Sequence, residues 1–505
     1  MGAGPTVGRM TSSPALSLEL PSRRGRAAAL LGVSLGYFMV LLDMTVLSVA
    51  EPDLAASLRT SIAGLQWATT GYTVVFGALL LSGGAVADRY GADRVFRAGV
   101  AVFALGSLLS ALAPGLGVLV GLRAVLGAAG AACVPASMAV IARLYPDPGE
   151  RTRAVAAWAA ISGAAVAAGP VAGGALVDLA GWRAIFLVNV PIGVLVLALT
   201  AGRGPRASRG AAASGEAGRH GLAASGEEGR HGVAAAGEGA RRGERRIDWA
   251  AQLAACAVLA LLTDALIAAG SRSWAHAAGA VVVTALAALG FAVLERRSDA
   301  PVLNRALLGS GGVRAGLAAG AAVSFILNGG LFVLPLLLQQ GRHLSAVASG
   351  LAFLPLTLPF VVNPPLTGRI VARVGPRPPI LAGLALLAAG GGGLAWAVGA
   401  GAGYGWLAVG LLLTGTGVSL VLPALAAAVI AAAPAGTAGA AGGLLNAVRQ
   451  TGATLGVAVM GACAGLGTVT GTALSLVVAA GLCGLAAAWF ALRSAPRSSR
   501  AEASR

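Results

Sequence analysis

The chain has 505 residues, 57% of them hydrophobic and 11% charged, with a formal net charge of +17. A soluble globular domain carries roughly 25% charged residues, so this composition excludes one and fits a protein that crosses a membrane many times. Every Lys-or-Arg position is arginine, which excludes a phosphate-loop ATPase, because that loop needs a lysine to reach the nucleotide phosphates.

Apolar runs of about 20 residues, the length that crosses a bilayer, occur fourteen times. They lie near 27 to 49, 66 to 87, 97 to 113, 116 to 140, 153 to 177, 184 to 202, 249 to 270, 275 to 294, 314 to 338, 346 to 368, 379 to 399, 404 to 430, 439 to 466 and 470 to 491. The predicted fold is an all-α polytopic membrane protein. Arg23, Arg24 and Arg26 precede the first run as in a signal peptide, but the run is long and leads into further spans, so a retained first helix is expected. With the N-terminus inside, the outward loops carry only Arg59, Arg183, Arg272 and Arg342, while Arg123 and Arg449 fall within spans. This positive-inside bias predicts a cell-membrane protein with both termini cytoplasmic, and it explains the charge without a nucleic-acid partner. Cys133, Cys256, Cys463 and Cys483 lie in apolar runs without metal-like spacing; they read as packing residues, with no metal site or disulfide framework expected.

In the first span, Asp43 lies about 24 Å from a start near Ala27, and in the fourth Arg123 lies about 10 Å from Leu116, at 1.5 Å per residue. Opposite chain directions bring the two to similar depth, so they are expected to face one cavity. A carboxyl in such a place can bind and release a proton as its exposure changes, and an intramembrane arginine is functional by default. Asp43 as a mere counter-charge for Arg123, and Arg123 reaching for the interface, are the alternatives; Asp264, near the outer end of the seventh run, is the competing acid. Tyr37, Phe38, Trp67, Tyr72, Phe325, Asn328 and Phe332 are candidate cavity lining for a planar amphipathic ligand, with interface belt or packing as the alternative for each. Arg449, near Asn446 and Gln450, either lines that cavity or anchors its helix.

Between the second and third runs stands Gly84-x3-Asp88-Arg89-x-Gly91-x2-Arg94, and between the tenth and eleventh Gly368-x4-Arg373-x-Gly375-x-Arg377, with Ala372 in place of Asp88. A loop repeated at the same place predicts two parallel six-helix units. The fifth run carries Gly163-x5-Gly169-Pro170-x2-Gly173-Gly174. Such residues cost a helix in water roughly 1 to 3 kcal/mol each, but between membrane helices they give a close-contact face. From Arg203 to Arg246 an imperfect eleven-residue repeat of Gly, Ala and charge replaces the apolar pattern; it predicts a disordered linker in which His220 and His231 are solvated. The expected organisation is a tail over 1–26, a six-helix bundle over 27–202, the linker over 203–247, two inserted helices over 248–294, a second bundle over 295–492 and a tail over 493–505.

Several of these segments resemble one family. LLDMTVLSVAEPDLAASL (residues 41–58), LQWATTGYTV (65–74), WRAIFLVNVPIG (182–193) and LLNAVRQTGATLGVAV (444–459) resemble the first-, second-, sixth- and thirteenth-helix motifs of the fourteen-helix drug:proton antiporter branch of the major facilitator superfamily. RAVLGAAGAA (123–132) resembles its fourth-helix arginine motif, GGAVADRYGADR its inner-gate motif, and the fifth-run glycines its antiporter motif. Leu126 stands where the family often has Gln, and Ala92 and Asp93 where it usually has a basic pair. The resemblance implies two six-helix bundles with two inserted helices, and proton-coupled export of hydrophobic or amphipathic drugs or secondary metabolites by alternating access. It implies a monomer that needs no cofactor beyond the proton gradient. An importer on the same scaffold and a non-transporting membrane sensor are the rivals. An enzyme is not expected, since His276 and His343 have no Ser or Cys constellation to join.

Overall fold

The computed structural model describes residues 22–201, 249–298, 305–434 and 437–493. The expected linker, with His220 and His231, and most of both expected tails lie outside the described residues. The described residues form seventeen α-helices and one π turn, with no strand among them. They are α1 Arg23–Leu58, α2 Ile62–Tyr90, α3 Ala92–Ala111, α4 Leu116–Leu144, α5 Pro148–Ala180, α6 Ala184–Leu187, α7 Asn189–Thr200, α8 Trp249–Gly270, α9 Trp274–Arg297, α10 Arg305–Gly309, α11 Gly311–Leu336, the π turn Leu337–Gly341, α12 Ala346–Ala352, α13 Leu354–Val374, α14 Arg377–Gly399, α15 Tyr404–Ala432, α16 Ala438–Ala464 and α17 Thr468–Arg493.

The sequence starts these helices with ordinary polar caps. Ser22, Ser61, Ser310 and Ser345 accept the backbone N–H three residues on, and Asp147 does the same before Pro148 opens α5. Pro52, Pro135, Pro170, Pro335 and Pro359 lie inside helices, where neighbouring helices supply the packing that an isolated helix would lack. Among the described residues ten helices are individually long and apolar enough to cross a membrane, or twelve if each bent pair is one span. That falls short of the expected fourteen. The second and tenth runs are the bent pairs, α12 and α13 meeting at 43°; the two runs missing from the twelve are the sixth, only a shorter apolar helix, Ala184–Thr200, interrupted at Val188, and the thirteenth, α16. The first run also ends too early: α1 continues past residue 49 through Glu51, Pro52 and Asp53 to Leu58.

α1 packs on α5 and α7, and α4 on α2 and α3; in the second half α11 packs on α16, α14 on α15 and α17, and α13 on α15. α8 lies against α2 and α16, touching both halves, and carries α9 on its outer side. The repeated loops share one backbone device. Gly91 and Gly375, between α2 and α3 and between α13 and α14, have φ of 88° and 81°, a region that side chains with a Cβ rarely enter.

The halves meet mainly toward the end of the bundle where α1, α5 and α16 finish. There Gln66 Nε2 donates to the Val457 and Ala458 carbonyls at 3.0 and 2.7 Å, Gln339 Nε2 donates to the Val49 carbonyl at 2.8 Å, and Asp178 accepts the Ala346 and Val347 N–H groups at 3.2 and 3.0 Å. Halfway along, the Thr73 and Thr454 hydroxyls share a bond of 2.8 Å. At the opposite end Val361, Val362, Leu366 and Val374 of α13 are exposed, as is Asp88 of α2.

Candidate functional site

Asp43 and Arg123 meet. Asp43 Oδ2 accepts Arg123 Nη1, and both residues are almost wholly enclosed, at 0% and 1% exposure. Sequence depth placed them at one level; the structure puts them in direct contact but opens them to no cavity. The pair is held on every side. Asn189 Nδ2 donates to Asp43 Oδ1 at 3.1 Å and to Ser107 Oγ at 3.3 Å, and Arg123 Nε donates to the Ala68 carbonyl at 3.1 Å. The guanidinium lies 4.6 Å from the Tyr72 ring centre and 6.0 Å from that of Phe186, so aromatic faces supply part of its charge stabilisation. A buried pair is costly unless its remaining donors and acceptors are met, and this one has α2, α3, α4 and α7 converging to meet them.

Tyr72, expected as cavity lining, is therefore the floor beneath Arg123; it is 0% exposed and stacks on Phe76. Phe332 and Phe325 are core residues, while Asn328 donates back to the Ser324 carbonyl of its own helix at 3.0 Å. Phe38 and Trp67 are half-buried. Tyr37 and Arg449 are brought together from the two halves. The Tyr37 ring stacks on Trp158 at 4.7 Å and 9°. Arg449 Nη1 donates to Asn446 Oδ1 at 3.2 Å, while Arg449 Nε, Trp158 Nε1 and Gln450 Oε1 are buried without partners. Trp158 was not singled out in the sequence, where it stands as one aromatic in an alanine-rich run.

The fifth-run glycines fall into two groups. A Cβ on Gly169 would collide with the Thr45 side chain, and one on Gly173 would lie 2.8 Å from the Val46 carbonyl oxygen, so both are needed where α5 crosses α1. Gly174 touches the Ala346 backbone of α12 instead, and Gly350 of α12 touches Pro170, so the same face also seals the two halves together. Gly163 does not share in this: nothing lies within 4 Å of its added Cβ.

In the loop motif, Asp88 and Arg94 are exposed and Arg89 lies over the Tyr90 ring at 5.6 Å. Asp88 has no ion pair among the described residues. Asp93 takes that part here, pairing with Arg143 at the end of α4 at 2.7 Å. Close contact with α4 is made by Gly83, against the Ala131 carbonyl, and not by Gly84. Asp264 pairs with His276 of α9 at 2.8 Å, far along α8 toward the end where the halves meet.

Known proteins resemble this chain along most of its length. The Multidrug resistance protein Stp of Mycobacterium tuberculosis is 32% identical over 441 residues, 87% of this chain and 76% of Stp. The Tetracenomycin C resistance and export protein of Streptomyces glaucescens is 32% identical over 449 residues, with the same coverage of 87% and 76%. The Methylenomycin A resistance protein of Bacillus subtilis is 31% identical and covers 86% of each chain. In fold, the crystal structure of a bacterial homologue of the human lysosomal transporter Spinster matches with a TM-score of 0.65 at 17% identity, over 94% of this chain and 98% of that one. With the profile of the Major Facilitator Superfamily matching residues 33–457 as well, the chain belongs to that superfamily of membrane transporters.

Proposed function

We propose that this protein exports small hydrophobic or amphipathic organic molecules, drugs or secondary metabolites, in exchange for protons. The resistance and export proteins it resembles support the substrate class. The arginine distribution supports a cell-membrane location with both termini cytoplasmic. On that orientation the polar contacts between the halves lie toward the outside, which supports reading this form as the loading state of an alternating-access exporter. We take it to work as a monomer of two six-helix bundles with two inserted helices, driven by the proton gradient.

One observation carries the coupling: Asp43 and Arg123 form an enclosed pair whose charge balance changes the moment Asp43 takes a proton. Protonation removes the attraction that fixes Arg123 and weakens the bond from Asn189, so it can shift the packing of α1, α4 and α7 together. Substrate is read between Tyr37 with Trp158 on one half and Arg449 on the other. The test is a substrate screen on proteoliposomes bearing a pH-sensitive dye. Proton movement that depends on both substrate and protein is expected; export without accompanying proton flux would overturn the coupling.

A further inference from the structure

Glu51 lies eight residues beyond Asp43 on α1, toward the end where the halves meet, and is 1% exposed. Its Oε1 accepts the Thr69 hydroxyl of α2 at 3.1 Å, and its Oε2 is buried with no hydrogen-bond partner. Among the described residues no arginine or histidine forms an ion pair with it. Asp53, two residues on, is committed to the Trp182 N–H at 2.7 Å.

Its place in the fold matters as much as its isolation. Two residues before it, the Val49 carbonyl receives Gln339 from the other half; three residues before Thr69, Gln66 reaches the carbonyls of α16. Glu51 and Thr69 therefore sit between two polar contacts that hold the halves together. An ionised carboxylate here would be buried with one neutral hydrogen bond and no cation, an arrangement that proteins avoid by neutralising the group.

We propose that Glu51 is a second proton-binding site: it takes a proton from the water at this face as the halves close, and releases it when they part. The carboxylate plus one proton gives the neutral acid, with no other group consumed. The proposal rests on the alternating-access reading. Because the closed form holds one proton more than the open form with Glu51 ionised, the closed-to-open ratio falls by up to about tenfold per pH unit as pH rises.

The full chain, with its four cysteines replaced and spin labels attached through Ser57→Cys and Thr470→Cys, reports the distance across this end in lipid nanodiscs. From mildly acidic to mildly alkaline pH the wild-type background should shift from the short to the long distance, and Glu51→Gln should stay short throughout. Glu51→Leu, which fills the same apolar seam without a hydrogen-bonding group, should also stay short and serves if the glutamine variant folds poorly. An unchanged pH response in either variant, or none in the wild type, overturns the proposal. A response lost in Asp43→Asn but kept in Glu51→Gln would assign it to Asp43 instead. Flux in proteoliposomes tests the export reading separately, since the distance measurement needs neither substrate nor turnover.

Discussion

Gly174 on α5 and Ala346 on α12 meet backbone to backbone across the two halves. A Cβ added to Gly174 would stand 2.7 Å from the Ala346 carbonyl carbon, and one added to Gly350 would stand 2.9 Å from that of Pro170. This reciprocal contact forms only when this end is closed. Gly174→Val should therefore disfavour closure by about 1 to 3 kcal/mol, the usual cost of overpacking, or roughly 5- to 150-fold in the closed-to-open ratio. Folded yield should hold, because the contact is between halves. Flux per folded molecule should drop while spin-label distances at positions 57 and 470 lengthen. Low yield with normal flux per molecule would make the contact a folding seam.

Gly169→Leu separates the two uses of the same helix. Its Cβ meets Thr45 of α1 within one half, so the collision acts in every state of the cycle. Loss of thermal stability together with flux is expected, whereas Gly163→Leu, with nothing within 4 Å, should leave both near normal. If Gly163→Leu is the more damaging, the fifth-run glycines work through some surface other than the α1 contact.

The fifth-run glycine face and the common depth of Asp43 and Arg123 were legible because each follows from spacing along single helices, which the chain sets locally. What the sequence could not reveal depends on how separate helices are rotated. Tyr72 looks like cavity lining until α2 is seen turned toward α4 with the ring under Arg123. Asn189, inside a recognised motif, becomes a partner of Asp43 only when α7 packs on α1. Glu51 lies beyond the first apolar run, which stops near residue 49, yet the helix runs on and buries it. The gate loop shows the same limit: its spacing marks the turn, while the choice of Asp93 over Asp88 as Arg143's partner is tertiary.

That choice can be tested. Asp93 and Arg143 are both partly exposed, so Asp93→Asn should cost only about 0 to 1 kcal/mol of stability and affect this state alone. Asp88 has no partner here, so Asp88→Asn should leave thermal stability unchanged. It should nevertheless slow flux if the exposed carboxylate finds its cation only after the parted end closes. Near-normal flux in Asp88→Asn would reduce the motif to a topological signal.

For the enclosed pair, Asp43→Asn strands the Arg123 charge, a loss of about 3 to 5 kcal/mol for a buried pair broken on one side. The double variant Asp43→Asn with Arg123→Gln should recover much of the melting temperature. Proton-driven export should remain absent in both, while substrate binding survives. Substrate-coupled proton flux at wild-type level in the double variant would move the coupling to Asp264 or Glu51.

The charge of the ligand tests whether Arg449 lines the cavity or anchors its helix. It is half-buried, no acid pairs with it among the described residues, and its Nε is without a partner. Opposite it, Tyr37 and Trp158 form a flat stacked pair with the indole N–H also unpartnered. A planar aromatic bearing a phenolate or carboxylate could stack on the rings and satisfy both donors, whereas a lipophilic cation would meet a like charge. Arg449→Gln should weaken binding of anionic planar ligands by about 2 to 3 kcal/mol, the lower part of the range for truncating a desolvated charge pair, and leave lipophilic cations unaffected or bound more tightly. Trp158→Phe keeps the stack and removes one donor, so a smaller loss of about 1 kcal/mol is expected. Calorimetric titration of the purified protein with one anionic and one cationic dye of similar size decides it. Equal losses for both dyes in Arg449→Gln would make the arginine an anchor for α16 and not a substrate contact.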